Sequence, residues 1–529
     1  MFIYNALKKI FAIDYRSLAL FRVLIACLIL LSIFSEQLID LKAFYADQGI
    51  IPRHIQTLLF QNSYPWQISF HLANGSYFFQ LILVIIQAIF AFSLLIGYKT
   101  KLSTFVSWLF VLSLLGRNMM IFNGGDFLLR LLLFWAIFNP LGAKWSVDAW
   151  IAKQNSAEIT KNTLSKDSTF FSAGSAAILI QMFCLYFFAA LAKSQESDWI
   201  SGQAVYFSLH IDYLTTPFGT WISQYTPVTE FFTYSSLYLE LIGPILLFSP
   251  ICTRFLRFVC ILSFLGLQLG FYLCMAPALG IFPFVASIGI LLFLPSSFWE
   301  FFNVATKKYK ESKFHFSQFH TLLAKLKSNF LVKEILDKLA KSSEPENVLK
   351  SVLKTKYLII TNLAVGFLVF YCLMVNLAFM YPKTFSIPPQ IAPIGGILQI
   401  DQAWNMFAKP SGFYTYWNVF LAKQNNGNER DLFQKTETIN WNKPENLSGY
   451  FRNGKWLNLY TGFNTSYQAY APYLAAYLCS DWNEKHKSIE EKLNEIEIYV
   501  MTQAPPKYNS PAPSNRETSK TLILKHKCN

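Results

Sequence analysis

Charged side chains are scarce in this 529-residue chain. They make up 14% of it, against about 25% in a soluble globular domain. With 53% hydrophobic residues and 51 phenylalanines, that shortage excludes a disordered or fibrous protein and an ordinary soluble enzyme. Cysteine is sparse as well. Eight over this length make no disulfide framework, and six of them fall in apolar runs as small hydrophobes. The sequence has no glycine-rich phosphate loop, HExxH, CxxC pair or nucleophile elbow. No metal is expected.

Long apolar runs are what the sequence does have. A helix needs about 20 mostly apolar residues to cross the hydrocarbon core. Nine runs come close to this, at 17–35, 78–97, 102–121, 126–142, 171–192, 229–250, 254–274, 278–296 and 357–381. They predict an all-α polytopic membrane bundle of about nine transmembrane helices, with a small C-terminal α+β extracytoplasmic domain. The chain divides into a transmembrane domain (1–300), a basic cytoplasmic loop (301–356), a final transmembrane helix (357–381) and the extracytoplasmic domain (382–529).

The net charge is +14, yet no nucleic-acid partner is expected. The basic residues sit between apolar runs, where they anchor and orient a membrane protein. Placing the N-terminus (Lys8, Lys9, Arg16) in the cytoplasm puts Lys99, Lys101, Lys144, Lys153, Lys161, Lys166, Arg254, Arg257 and the lysine-rich stretch 307–356 on that side. The outer loops are poorer in cations, and 193–228 has only Lys193. The expected orientation in the plasma membrane is N-terminus inside, C-terminus outside. Residues 314–340 read as a basic amphipathic helix. It either lies on the anionic inner leaflet among membrane lipids or packs on the protein.

In the C-terminal domain, 413–423, Leu432–Gln434, 496–503 and 521–527 read as strands and 467–486 as a helix, with turns at 424–431 and at Phe451–Trp456. Cys479 and Cys528 are its only cysteines. In an oxidising compartment they are expected to pair.

Ionisable residues within or at the ends of spans are costly in lipid, so they are the default functional candidates. They are Arg22, Arg117, Asp126, Arg130, Lys193 and Glu240, joined by Asn118 and Asn123. Asp126 and Arg130 have the spacing of a helical ion pair, and Asn123 is placed to cap that helix. Glu240, in mid-span, must be neutral or paired, as structural glue or as part of a working site. Lys193 ends a very apolar run. It either snorkels to the interface or lies buried and acts as a general base. Shared burial is more economical than separate burial, so Arg117, Asp126, Lys193 and Glu240 are expected to line one outward pocket, with Lys193 walled by Phe187, Phe188 and Leu191.

The motifs DYRSLALFRVLIA (14–26), FYADQGIIPR (44–53), NGGDFLLRLLLFWAIFNPLGAKWSVD (123–148) and SDWISGQAVYF (197–207) resemble, in the same order, the horizontally transferred transmembrane (HTTM) family. That family includes the vitamin K-dependent γ-carboxylase. The resemblance covers about residues 12–300, and QAWNMFA (402–408) looks like the tail of long bacterial members. It implies a helical bundle with an outward pocket sized for a quinone or hydroquinone, with Trp199 beside it. In the carboxylase, a lysine at the end of the matching span deprotonates the hydroquinone, and carbon dioxide then adds to a glutamate. Lys193 is the lysine that matches this place. Two departures stand against that lyase chemistry. Aligned on Asp198-Trp199, the carboxylase's base falls on Ser194, and its catalytic histidine falls on Gly125. The expected function is therefore a membrane enzyme on a carboxylase-like scaffold that modifies a quinone, a lipid or a secreted peptide, with Lys193, Asp126 and Glu240 as its catalytic residues. The alternative is a non-enzymatic membrane protein that binds or helps export a peptide or toxin.

Overall fold

The computed structural model describes residues 2–61, 68–156, 168–275, 278–302, 348–508 and 516–528. The amphipathic stretch 314–340, with Lys161 and Lys166, lies outside them. Each apolar run contains a helix: α1 (Tyr15–Ser32), α2 (Tyr77–Ile96), α3 (Thr100–Arg117), α4 (Gly124–Ala136), α5 (Ala173–Lys193), α6 (Thr226–Leu247), α7 (Thr253–Met275), α8 (Phe282–Ile290) and α9 (Val348–Met380). A π-helical turn, Ile33–Gln37, extends α1.

Among the described residues, five helices are long and apolar enough to cross a membrane: α1 with its extension, α2, α5, α7 and α9 from Leu358. A sixth candidate is the bent pair Phe282–Phe293 and Ser296–Phe302, at 93°. The other expected spans fall short for local reasons. Helix α4 has only 13 residues, about 20 Å of rise. Helices α3 and α6 are interspersed with Ser, Thr and charged residues.

The helix ends follow from local chemistry. Asn123 caps α4 through the Gly125 amide, and Asp126 reaches back to the Asn123 amide, forming a capping box. Ser172 and Ser175 form the same device at α5. Gly97, at φ 72°, ends α2 in the left-handed conformation, where a side chain would also strike Arg22. Short α4 is central, flanked by α3, α5 and α8, with Leu128, Leu131, Leu132 and Leu133 fully buried. Outward faces of α2, α7 and α9 expose Phe78, Ile89, Phe255, Leu262, Leu363 and Phe370. Such continuous apolar faces suit lipid.

Four buried arginines bond to backbone carbonyls. Arg22 donates to Trp145, Arg257 to Leu247 and Ile10, and Arg117 to Tyr45, Ala46 and Ile51. Arg130 donates to the Asp401 carbonyl and to Gln399 Oε1.

The C-terminal domain holds one antiparallel sheet in the order β2-β1-β3-β4: β1 (Thr415–Gln424), β2 (Glu429–Asp431), β3 (Leu493–Gln503) and β4 (Thr518–Lys527). Two expectations need correction. The return strand starts before Leu432–Gln434, because Gly427 (φ 84°) closes a tight turn. The expected turn at Phe451–Trp456 instead opens helix α10 (Gly454–Asn464), since the Asn453 side chain accepts from the Lys455 and Trp456 amides. A disulfide joins Cys479, on α11 (Ala471–Lys485), to Cys528 just past β4, with Cα atoms 5.5 Å apart.

This domain docks on one end of the bundle. Arg452 and Asn453 bond Asp40, Lys42 pairs with Glu484, Asn458 bonds the Ile121 carbonyl, and Lys443 pairs with Asp212. The loops after α1, α3 and α5 thus share its end. At the other end, Lys9 bonds the Pro250 carbonyl, and Ile13–Asp14 pairs with Thr169–Phe170.

Candidate functional site

Lys193, the last residue of α5, lies 2.5 Å from Glu240 of α6 through Nζ and Oε2. Neither is at the surface, with exposures of 5% and 3%. Lys193 therefore does not snorkel, and Glu240 is paired. The ammonium also sits 4.7 Å from the centre of the Trp199 ring, a cation–π contact. Trp199 is oriented by donating Nε1 to the Phe407 carbonyl at 2.9 Å. Four residues past Glu240 comes Pro244, which has no amide to offer the Glu240 carbonyl.

The pair faces a cavity of about 30 Å³ lined by Leu185, Tyr186, Ala189, Phe271, Leu279, Phe282, Trp404, Met406 and Phe407. The helical period explains why the α5 wall is Leu185, Tyr186 and Ala189 and not Phe187, Phe188 and Leu191. Positions four, seven and eight before Lys193 share its face. The cavity holds about one water, whereas ligand pockets run from about 300 Å³ upward. As folded, it does not fit a quinone ring.

Its roof explains the small size. Trp404, Met406 and Phe407 belong to a segment running from the C-terminal domain into the bundle. Arg130 holds Gln399 and Asp401. Tyr371 donates to Asp401 at 2.9 Å, Gln181 donates to Gln402 at 2.7 Å, and Asp198 accepts from the Ser411 amide. Burial raises the Asp401 carboxyl above its ordinary range, against the pull of Tyr371 and Arg130.

The expected convergence of four residues is corrected by this geometry. Asp126 lies in a separate cluster with Lys455 of α10, Gln37 and Gln87 around a chamber of about 20 Å³. Lys455 is buried, 3.3 Å from Glu36 and 3.4 Å from the Tyr45 hydroxyl. Burial alone would lower its proton affinity, but Tyr45, Glu36 and Asp126 outweigh it and hold the ammonium above lysine's usual value. Arg117 and Asn118 form a third group. Arg117 is stapled to loop carbonyls with Asp47 at 3.8 Å, and Asn118 donates to the Phe44 carbonyl. Arg130, expected to pair with Asp126, reaches toward the roof segment. The first two sites are neighbours. Gly124 lies against Met406 and Gly125 against the Phe282 backbone, and both Met406 and Phe282 line the Lys193 cavity.

Sequence reasoning missed Lys455, Trp404, Met406 and Phe407 as site residues. Gln37 and Gln87, polar residues in or beside apolar runs, were a usable signal. Among the described residues, no group of three or more His, Cys, Asp or Glu side chains is placed to hold a metal ion.

Apolar helices, an interior ion pair and a docked C-terminal domain define a polytopic helical membrane protein with a buried polar site. The HTTM domain model matches residues 11–299, more than half of the chain, and the protein belongs to that family. No curated protein and no solved structure matches it. At the position aligned with the carboxylase histidine, a Cβ on Gly125 would lie 2.5 Å from the Phe282 amide nitrogen, so no side chain fits there. Ser194, aligned with the carboxylase base, donates its hydroxyl back to the Leu191 carbonyl.

Proposed function

We propose that this protein is a plasma-membrane enzyme of proton-transfer type, with nine spans, its N-terminus in the cytoplasm and its C-terminal domain outside. Lys193 and Glu240 form the working pair. The observation that carries this reading is their 2.5 Å contact inside an apolar cavity, at the helix end where the family resemblance places a base. Once the ammonium has passed its proton to the carboxylate, the amine lone pair can take a proton from a substrate, and the acid can return one. Trp199 holds the ammonium over its ring face. The substrate class is an apolar molecule with an acidic hydrogen, such as a lipid, a quinol or a secreted peptide. Entry requires the roof segment to withdraw. With Gly125 and Ser194 at the carboxylase's functional positions, glutamate carboxylation is not proposed.

The orientation is supported by the lysine and arginine placement and by the docking of loops 36–56 and 194–216 on the C-terminal domain. A reporter active only in the cytoplasm, fused after residue 529, should be silent; a strong signal would reverse the topology. For the chemistry, lipid extracts and secreted peptides are compared by mass spectrometry between cells carrying wild type, Lys193→Ala or Glu240→Gln. A species that changes in both variants is expected. Identical profiles would favour the second reading, a binding or export protein, for which the closed, bonded roof is the supporting observation.

A further inference from the structure

The seam between α1 and α2 carries a second site that the Lys193–Glu240 pair does not use. An open groove of about 480 Å³ runs along it, lined by Leu30, Ile33, Phe34, Val84, Ala88 and Phe92 among others, with no charged residue. Its size falls in the range of ligand pockets, which begins near 300 Å³. Behind the groove, the same stretches of chain turn polar residues inward to the Asp126–Lys455 chamber. Gln37 immediately precedes Leu38, and Gln87 lies between Ile85 and Ala88. Gln87 is 1% exposed, and neither its Nε2 nor its Oε1 has a hydrogen-bond partner. The Oε1 of Gln37, 5% exposed, has none either. A buried amide without partners is costly, and an apolar residue would suit this run better unless something bonds the amide. The charges nearby limit what that can be. Lys455 faces two carboxylates, Glu36 and Asp126, so no positive charge is left over for an anionic headgroup.

We propose that the α1–α2 seam binds an uncharged, single-chain membrane lipid. Its hydrocarbon tail lies in the groove, and a single hydroxyl of its head, the size of group that the chamber of about 20 Å³ holds, inserts across the seam to bond Gln87 and Gln37. Leu30, Ala88 and Phe92 contact the tail. Gln87 supplies both a donor and an acceptor, which suits a hydroxyl, itself donor and acceptor.

The test uses the full chain in mixed micelles with a photoactivatable monoacylglycerol carrying a diazirine in its chain. Photoactivatable lysophosphatidic acid of the same chain length is the anionic control. Monoacylglycerol should label peptides from 30–38 and 84–93. Labelling should fall about tenfold in Gln87→Leu, the change expected for losing a buried hydrogen-bonding partner. It should fall similarly in Ala88→Trp, which fills the groove from its surface, with the thermal midpoint retained as a check on folding. Lysophosphatidic acid should label weakly and without regard to Gln87. Equal labelling by both lipids, unaffected by either substitution, would show ordinary lipid contact with a water on Gln87 and would overturn the proposal. The double variant Lys193→Met/Glu240→Leu, which keeps the fold and lacks the pair, should label as wild type does, so failure here is distinguishable from failure of the proton-transfer reading.

Discussion

Breaking the Lys193–Glu240 pair from one side leaves a charge buried without its partner. At 2.5 Å and an effective dielectric near 20, the gross attraction is about 7 kcal/mol. Desolvation of both groups offsets much of it, and removing one partner of such a pair costs roughly 3–5 kcal/mol. Lys193→Met and Glu240→Leu should each destabilise the protein by that amount. The double variant should recover most of the loss, because two apolar side chains of similar length fill the space without stranding a charge. The assay is unfolding in detergent followed by tryptophan fluorescence, run as a double-mutant cycle. Single losses below about 1 kcal/mol, or a double loss equal to their sum, would refute the view that the two side chains form one desolvated unit. The double variant also separates stability from function. It should be well folded and should lack whatever activity the wild type shows.

Other outcomes follow from the same geometry. Burial, opposed by Gln80 and reinforced by the Arg117 charge, lowers His71 to about 4. The unfolded chain protonates this residue near 6.5, so stability from the neutral ring is full above that pH and is lost as pH falls toward 4, roughly 3 kcal/mol in all. His71→Gln should flatten that acid limb in pH-dependent melts, and an unchanged limb would count against the assignment. Reducing the Cys479–Cys528 bridge, which closes 49 residues, should cost roughly 4 kcal/mol. Denaturation with and without reductant measures this, and a Cys479→Ser/Cys528→Ser variant should no longer respond. Trp404→Ala should cost about 3–5 kcal/mol and the change at half-buried Phe407, Phe407→Ala, less, while both enlarge the Lys193 cavity. Xenon binding in the variants and none in wild type is the expected result, and no binding in either would mean that the roof collapses inward.

Much of the fold was legible because lipid and water impose strict patterns. Apolar runs marked the helices, strand-like runs bounded by turns marked β1 and β3, and Asn123 announced the cap of α4, while the part Asp126 plays in that capping box was not read. Lys193 stood out as the charge that closes an apolar run and Glu240 as a charge within one. The rest depended on pairings between distant parts of the chain. Asp126 meets Lys455, which reads locally as an ordinary surface lysine after Asn453-Gly454. The hydrogen bonds of Arg117 go to three carbonyls, with Asp47 further off at 3.8 Å, and every residue has a carbonyl, so no sequence pattern marks those partners. The assumption that four buried charges share one pocket overlooked this, since backbone groups can satisfy a guanidinium anywhere a loop turns inward. The size of the Lys193 cavity was likewise hidden, because its roof is built from Trp404, Met406 and Phe407, far along the chain.

That distance has a consequence for how the protein is made. Domains fold broadly from the N-terminus as the chain is synthesised, so helices α5 and α6 exist before Trp404 leaves the ribosome. During that interval the Lys193–Glu240 pair has walls from α5, α6, α7 and α8 and no ceiling. The last act of maturation is the arrival of the C-terminal domain. Gln399–Phe407 then threads between Arg130, Gln181 and Trp199, and Lys455 descends onto Glu36. Docking of the sheet domain thereby becomes a precondition for sealing the Lys193 site. A chain whose C-terminal domain has not docked carries an open, charged cleft in place of a closed one.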